Sequence, residues 1–143
     1  MGRLLQLYLY DFSEFGGGDV GADGRFAYPY FENYWTEPER HPFLFGVGDA
    51  AAGFAFVRAP VLAGAPHDMA EFFILRRYRR RDVGRVAATS VFEMFPGEWQ
   101  VRQMRSNVSA TAFWKATIPY PFEESSNDDG PLQRFVVPAG PPL

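Results

Sequence analysis

The sequence contains no cysteine and only two histidines among its 143 residues. The absence of cysteine excludes disulfide bonds, thiolate metal sites and a cysteine nucleophile. The two histidines, His41 and His67, each stand next to a proline and have no carboxylates at metal-ligand spacing. The sequence therefore predicts a protein that binds no metal.

Long apolar runs are also absent. No segment approaches the ~20 consecutive apolar residues of a membrane-spanning helix. The N-terminus lacks the charged, apolar and small-residue order of a secretory signal. We therefore predict a cytoplasmic protein that contacts no membrane.

Charge is unevenly distributed along the chain, although the net charge is only −3. Residues 76–105 carry eight arginines against three acids, whereas residues 1–75 carry ten acids against four arginines. We expect the arginine-rich segment to bind an anion. The acidic remainder suits a cationic ligand such as an amine, and it argues against extended contact with nucleic acid, whose phosphates it would repel.

The hydrophobic content of 47% predicts one globular domain over residues 1–143. The first half begins with a predicted helix over Arg3–Phe15, which three glycines end, and continues with a helical turn at Phe31–Trp35. Two predicted strands, Phe43–Val47 and Gly53–Arg58, are joined by a Gly-Asp-Ala turn and form a hairpin.

The second half alternates strands and helices. Met69–Leu75 is an almost uninterrupted apolar run, which is typical of a central strand. From Val83 onward, apolar residues follow helical spacing until a Pro-Gly pair stops the helix. A further strand, Trp99–Arg105, precedes a helix over Ser109–Ile118 that its first residue can cap. A hairpin around the Asn-Asp-Asp-Gly turn at 127–130 closes a chain of the α/β class.

The string AEFFILRRYRRRDVGRVAATSVF, residues 70–92, places arginines and a glycine between the central strand and a helix. Backbone N–H groups are unpaired at a helix N-terminus and the helix dipole is positive there, so such a place binds phosphate. The guanidinium groups of Arg79, Arg80, Arg81 and Arg85 can add contacts to a pyrophosphate. Two other interpretations are a solvated arginine face and a basic stretch that binds nucleic acid. The flanking strand and helix favour the phosphate loop.

Residues 79–84 resemble motif A of the GNAT superfamily of N-acetyltransferases, which reads Gln/Arg-x-x-Gly-x-Gly/Ala after a central strand. Asp82 replaces the first glycine, and the other positions fit. The run EFFILRRYRRRDVG is similar to the corresponding segment of diamine and polyamine acetyltransferases, although Ala70 stands where they carry a small acidic residue.

A second motif of the superfamily has its counterpart at Asn107, Ala110 and Phe113-Trp114. Trp114 occupies the catalytic position at which many members carry a tyrosine that protonates the departing CoA thiolate. An indole N–H can donate a hydrogen bond but is not a usable acid. Water or another tyrosine would then supply the proton.

The resemblance implies a mixed, mostly antiparallel central sheet with a splayed strand pair and flanking helices. GNAT domains usually open with a strand, but helical sequence begins almost at Met1 here, so either the first strand is missing from this chain or the true start lies upstream. Loss of that strand would leave an unpaired edge at Phe43–Val47, and pairing of that edge with a second copy, a homodimer, is a hypothesis.

The resemblance also implies acetyl-CoA as co-substrate, with the pantetheine arm paired to the splayed strand and a strand N–H polarising the thioester carbonyl. The implied cofactor contacts are Phe73, Ile74, Leu75, Arg79, Arg80, Arg81, Asp82, Val83, Gly84, Arg85, Asn107 and Phe113.

Glu71 is the first candidate for the base that takes a proton from the attacking amine, because burial in an apolar strand would raise its pKa. An equally good role for Glu71 is pairing with an arginine or orienting the substrate. Second candidates for attracting a cationic amine are Glu32 and Glu37. The implied acceptor pocket lies in the loop between the first helices and includes Tyr30, Glu32, Tyr34 and Trp35.

The leading hypothesis is an N-acetyltransferase acting on a primary amine of a small molecule or on an amino terminus. One alternative is a non-catalytic module that binds or senses acyl-CoA, which the tryptophan at position 114 and the aspartate at position 82 would suit. A second alternative is an arginine-rich nucleic-acid-binding domain, which the acidic flanks disfavour.

Overall fold

A computed structural model describes residues 1–141. The elements, in chain order, are α1 (Gly2–Phe12), α2 (Asn33–Thr36), β1 (Arg40–Val47), β2 (Ala50–Arg58), β3 (His67–Ile74), α3 (Val83–Met94), β4 (Gly97–Arg102), α4 (Val108–Thr117), β5 (Phe122–Asn127) and β6 (Gly130–Val137). A short 3₁₀ turn, Arg76–Tyr78, follows β3. Among the described residues, no helix combines the length and the apolar character needed to cross a membrane.

The six strands form one sheet in the order β1-β2-β3-β4-β6-β5. All neighbouring strands are antiparallel except β3 and β4. This parallel pair meets only where His67 lies opposite Trp99 and Asp68 lies opposite Gln100. The strands then diverge, which confirms the predicted mixed sheet with a splayed pair.

The buried strand β2 separates two apolar layers. Alternate side chains of a strand point to opposite faces of a sheet. Ala55 and Val57 accordingly pack with α3 and α4, whereas Phe54 and Phe56 pack with α1 and α2. Residues 52–57 are therefore all buried.

The strand β1 has a neighbour on one side only. The N–H of Ala59 donates to the carbonyl of Glu39 at 2.7 Å, and alternation along the ladder turns the backbone polar groups of Arg40, Pro42 and Leu44 to the open edge. Proline is tolerated at such a position because no ladder hydrogen bond is lost. The strand consequently begins at Arg40 rather than at the predicted Phe43.

The N-cap of α4, in the segment that corresponds to the second motif, differs from the prediction. Asn107, not Ser109, caps α4: its Oδ1 accepts from the Ala110 N–H at 3.1 Å. The Ser109 hydroxyl donates to the same oxygen at 3.1 Å. The strand before it also ends earlier than predicted, at Arg102, and Gln103 and Met104 beyond its end line a cleft.

Candidate active site

A cleft of about 660 Å³ opens where β3 and β4 diverge. Residues 68–72 of β3 form one wall, and residues 100–104 at the end of β4 form the other. Residues of α1 and α4 and the β5–β6 turn complete the lining. The cleft is thus a direct result of the short pairing between the two central strands.

The β-bulge in β3 sets the orientation of Glu71. The register between β2 and β3 shifts at this point, so Ala70 has no partner and Glu71 lies opposite Phe56. Paired residues share a face of the sheet, and Glu71 therefore points to the layer of α1 and α2. Bulges commonly re-aim a side chain beside an active site.

Two tyrosine hydroxyls donate to the Glu71 carboxylate. Tyr8 of α1 donates to Oε2, and Tyr28 donates to Oε1 at 3.2 Å. Burial raises the pKa of Glu71, and the two tyrosine hydrogen bonds offset only part of this effect. Burial, and to a smaller extent the charge of Glu71, raises the pKa of Tyr8 well above its ordinary value. This hydroxyl therefore stays protonated and remains a donor. The predicted base thus lies in the cleft in contact with tyrosines and not with an arginine.

An ion pair in the cleft, between Arg58 of β2 and Asp68 of β3, was not predicted. The two residues are register partners in the ladder, which brings their side chains together. Asp68 acts to raise the pKa of Glu71 and Arg58 acts to lower it. Arg58 and Asp68 are charges of opposite sign at strand ends, but the sequence does not pair them until the register of β2 and β3 is known.

The backbone of β3 has an open edge beside the cleft. The Leu75 N–H donates to the carbonyl of Ala52 at 2.8 Å. Alternation along the strand then directs the N–H groups of Phe73 and Leu75 to β2 and those of Phe72 and Ile74 to the open edge. Of the segment predicted to pair with the pantetheine arm, Ile74 has a free edge N–H. Phe73 is a core residue packed on Phe54, so neither Phe73 nor Leu75 offers the predicted backbone contact.

The arginine loop has an unusual backbone. Arg80 and Asp82 both have φ of 60°, in the left-handed region that glycine favours. Helix α3 begins directly afterwards, and its first helical hydrogen bond runs from the Val86 N–H to the Asp82 carbonyl at 3.0 Å. The Asp82 side chain does not cap the helix. The N–H groups of Val83, Gly84 and Arg85 therefore have no partner within the helix.

The arginines of this segment have different roles. Arg79 was predicted to contact phosphate, but its Nε donates to the Ile74 carbonyl at 2.8 Å and its Nη2 donates to Asp11 at 2.8 Å. This side chain therefore joins α1 to β3, a role that was not predicted, and its contact with phosphate stays a prediction. The Arg85 Nε lies 3.3 Å from the Asp82 Oδ1, so its charge partly offsets that of the Asp82 carboxylate. Arg80 and Arg81 are exposed.

Gly84 permits close packing of the first turn of α3. A Cβ at this position would lie 3.1 Å from the Phe113 ring and 3.5 Å from Ile74. The Phe113 ring stacks on Phe72 with centroids 5.6 Å apart. The centroid of the Trp114 ring lies 5.0 Å from that of Phe72. Phe113 thus acts through packing, whereas Trp114 and Asn107 line the cleft.

The residues predicted for the acceptor pocket lie outside the cleft lining. Tyr34 is a core residue stacked on Phe56 with centroids 4.1 Å apart. Trp35 packs on Phe31, Tyr30 lies under the Arg40 guanidinium, and Glu32 is exposed. The reason is that α2 covers β2, one strand away from the gap. The loop reaches the site through a different residue, Tyr28.

Glu37, a second candidate for attracting an amine, also lies away from the cleft. Its carboxylate accepts from Asn33 at 2.7 Å and from Arg40 at 2.6 Å, and these contacts lower its pKa. Within residues 1–141, no group of three or more histidines, aspartates or glutamates is placed to hold a metal ion.

No protein-family model matches the sequence, and no curated protein matches it significantly. The fold is similar to that of an acetyltransferase from Thermus thermophilus, with a TM-score of 0.71, 17% identity and coverage of 95% of this chain and 86% of that chain. A GNAT-family acetyltransferase from Staphylococcus aureus gives a TM-score of 0.67 at 14% identity, over 94% of this chain and 91% of that chain. A ribosomal-protein-S18-alanine N-acetyltransferase from Escherichia coli gives a TM-score of 0.63 at 13% identity, over 99% of this chain and 92% of that chain. The sheet order, the splayed strands and these likenesses together show that the chain has the GNAT fold.

Proposed function

We propose that the chain is an N-acyltransferase that moves an acetyl group from acetyl-CoA to a primary amine of a small molecule or to an amino terminus. The observation that carries this proposal is the position of Glu71. A partly buried carboxylate with a raised pKa lies in the cleft between the diverging strands. The same strand leads directly into the arginine loop, so a base and an anion site are held on one rigid element.

The loop fits the pyrophosphate of CoA. Consecutive N–H groups at the start of α3 have no helical partner, and left-handed residues before a helix form an anion-binding concavity. Asp11 forms ion pairs with both Arg76 and Arg79 and offsets one of their two positive charges, whereas Arg80 and Arg81 make no ion pair with the residues described. This local arrangement favours a phosphate loop over a nucleic-acid surface, which would use the whole cluster.

The proposed mechanism assigns separate tasks to groups of the cleft. Acetyl-CoA, when bound, supplies a thioester that an amine can attack. The open-edge N–H groups of Phe72 and Ile74 are donors for carbonyl oxygens. Tyr8 and Tyr28 hold the Glu71 carboxylate in one orientation, and Glu71 removes the proton that the amine must lose. As the amine nitrogen bonds to the acetyl carbon, the bond from that carbon to the CoA sulfur breaks, and CoA leaves as its thiol with a proton from water.

The test is incubation with acetyl-CoA and a panel of primary amines, read by release of free thiol. We expect saturable release with at least one amine. Tight CoA binding without release from any amine would favour the acyl-CoA-binding module, which the buried Trp114 in the cleft also suits. If CoA neither binds nor raises the melting temperature, both functions are wrong.

Replacing Asp82 with glycine should strengthen CoA binding about three- to tenfold. The change removes an exposed negative charge beside the proposed phosphate site and releases Arg85, while glycine accepts the left-handed backbone. Titration calorimetry with CoA measures the effect.

Asp82→Asn separates charge from backbone, because asparagine also tolerates the left-handed region but carries no charge. We expect it to give most of the gain. Unchanged CoA affinity in both variants would mean that the loop does not lie at the phosphates.

A further inference from the structure

The last turn of α1 carries a carboxylate at a position where the helix itself disfavours one. Asp11 is the next-to-last residue of α1, near the negative end of the helix dipole, and this turn contains no basic residue. Two arginines that follow β3 compensate: Arg76 Nε donates to Asp11 Oδ1 at 3.1 Å, and Arg79 Nη2 donates to Asp11 Oδ2 at 2.8 Å. Each carboxylate oxygen therefore has its own guanidinium group.

Arg79 continues this link to the central strand. Its Nε donates to the carbonyl of Ile74, the last residue of β3, at 2.8 Å. The side chain of Asp11 is 21% exposed and that of Arg79 is 40% exposed, so water screens their attraction only in part. Helix α1 is thus fastened to the end of β3 through two side chains.

The same side of α1 contacts the proposed base. Tyr8 lies three residues before Asp11, and residues at this spacing are neighbours on a helix surface. Tyr8 donates to Glu71 within β3, whereas Asp11 accepts from residues beyond the end of that strand. The helix therefore holds the base and the arginine loop at two points about one turn apart.

Packing secures the first half of α1 more than the second. Leu5 is the one buried residue of the helix. After the helix, the Ser106 hydroxyl donates to the Phe15 carbonyl at 2.8 Å, but a Cβ on Gly17 or Gly18 would meet nothing within 4 Å. The ion pairs of Asp11 therefore restrain the half of α1 that lines the cleft with Tyr8, Leu9 and Phe12.

We propose that Asp11 is a positioning residue that couples the arginine loop to the proposed base: by fastening the last turn of α1 to that loop, it holds the Tyr8 hydroxyl on Glu71. This proposal rests on the proposed function and extends it. Asp11 also offsets one of the two positive charges of Arg76 and Arg79. Its loss should therefore weaken catalysis and strengthen CoA binding at the same time.

The pH profile separates positioning from a simple effect of charge. The groups that face Glu71 are Tyr8 of α1, Tyr28 of the loop before α2, Arg58 of β2 and Asp68 of its own strand. The Tyr8 hydrogen bond acts to lower the pKa of Glu71, so loosening it moves the rise of kcat to higher pH. Loss of a nearby negative charge alone favours the ionised carboxylate and moves the rise to lower pH.

The experiment measures kcat against pH and the Kd for CoA in Asp11→Asn. Asparagine keeps the size of the side chain, but its amino group has to face one of the two arginines. We expect kcat at pH 7 to fall about three- to tenfold, the usual worth of one hydrogen bond, and its rise to move to higher pH. The Kd for CoA should fall about twofold, because one positive charge is no longer offset.

Two further variants are matched to this one. Glu14→Gln removes an exposed negative charge that also acts on Arg76 but makes no ion pair within the part of the chain described. It should not move the rise of kcat to higher pH. Tyr8→Phe removes the hydroxyl itself, so it should move the rise at least as far as Asp11→Asn does and leave the Kd for CoA unchanged.

Each outcome separates this inference from the proposed function. A rise of kcat that stays in place or moves to lower pH in Asp11→Asn would overturn the inference and leave the transferase intact. If no thiol is released from any amine, urea unfolding decides, because it requires no substrate. The free energy of unfolding lost in Asp11→Asn combined with Tyr8→Phe should be smaller than the sum of the two single losses, since Asp11 then has no hydroxyl to hold in place. Additive losses, as we expect for Glu14→Gln combined with Tyr8→Phe, would overturn the inference.

Discussion

Replacing Glu71 with glutamine should reduce kcat for acetyl transfer about 10²- to 10⁴-fold, the usual contribution of a general base. Glutamine keeps the shape of the side chain: its oxygen can accept from one of the two tyrosine hydroxyls, and its amino group can donate to the other, because a hydroxyl oxygen also accepts. It cannot take a proton from an ammonium group. The Kd for CoA should stay unchanged, because the arginine loop is not altered.

The pH dependence gives the same variant a second signature. Burial raises the pKa of Glu71, so the carboxylate available to act as base increases with pH through that raised value. We expect the wild-type kcat to rise with pH over this range, above the ordinary range of a glutamate. Glu71→Gln should lose that rise.

Stability should move in the opposite direction to activity. A raised pKa in the folded state means that ionisation of Glu71 opposes folding, so the free energy of unfolding decreases as pH rises through the raised pKa. Glutamine does not ionise and removes this cost at neutral pH. The melting temperature of Glu71→Gln should therefore equal or exceed that of the wild type.

The control is Glu98→Gln, which neutralises an exposed glutamate on β4 outside the cleft lining. It should keep the wild-type kcat and pH profile. Full activity of Glu71→Gln would show that this side chain orients the substrate and is not the base, which is one of the other roles that the sequence left open.

Replacing Gly84 with leucine should weaken CoA binding about 100-fold or more, the usual result of a displacement of about 1 Å at a positioned site. No rotamer of leucine avoids the Cβ position, which lies 3.1 Å from Phe113 and 3.5 Å from Ile74. The first turn of α3 must then move away from β3, together with its unpaired N–H groups. Titration calorimetry with CoA measures the loss.

Two further variants separate misplacement from general instability. Ser90→Leu adds the same side chain to an exposed position of α3 and should leave CoA binding unchanged. Gly84→Leu combined with Phe113→Ala makes room beside the helix and should recover part of the affinity. Unchanged CoA affinity in Gly84→Leu would mean that the start of α3 is not the phosphate site.

The fold was predictable where local sequence and tertiary packing agree. The start of α3 at Val83 was correct, because a glycine, a helical apolar pattern and a preceding buried strand all favour it. The predicted end of α1 lay three residues too late. After Phe12 the α-helical pattern gives way to a tighter turn, in which the Phe15 N–H donates to the carbonyl of Phe12. The early start of β1 was hidden by Pro42, whose tolerance depends on which edge it faces.

The candidate site was predictable in its residue types but not in its partners. Glu71 was identified because one charge stood in an apolar strand. Its partners Tyr8 and Tyr28 lie 63 and 43 residues away along the chain, so no local pattern joins them to it. The contact between Arg79 and Asp11 could not be predicted for the same reason, since Asp11 lies on α1.

The two edge strands of the sheet, β1 and β5, are the places where further copies of the chain could add by strand pairing. Addition of β5 of one copy to β1 of the next would leave a new open edge each time and so grow into a fibre. Pro42 removes one N–H from the β1 edge, and Glu123 and Glu124 place charge on β5, both of which oppose such growth. Pairing of β1 with β1 of a second copy uses the same edge of both copies, so this interface closes at two and leaves the β5 edges outside it. Pro42, Glu123 and Glu124, all outside the cleft lining, therefore oppose edge-to-edge association of this chain.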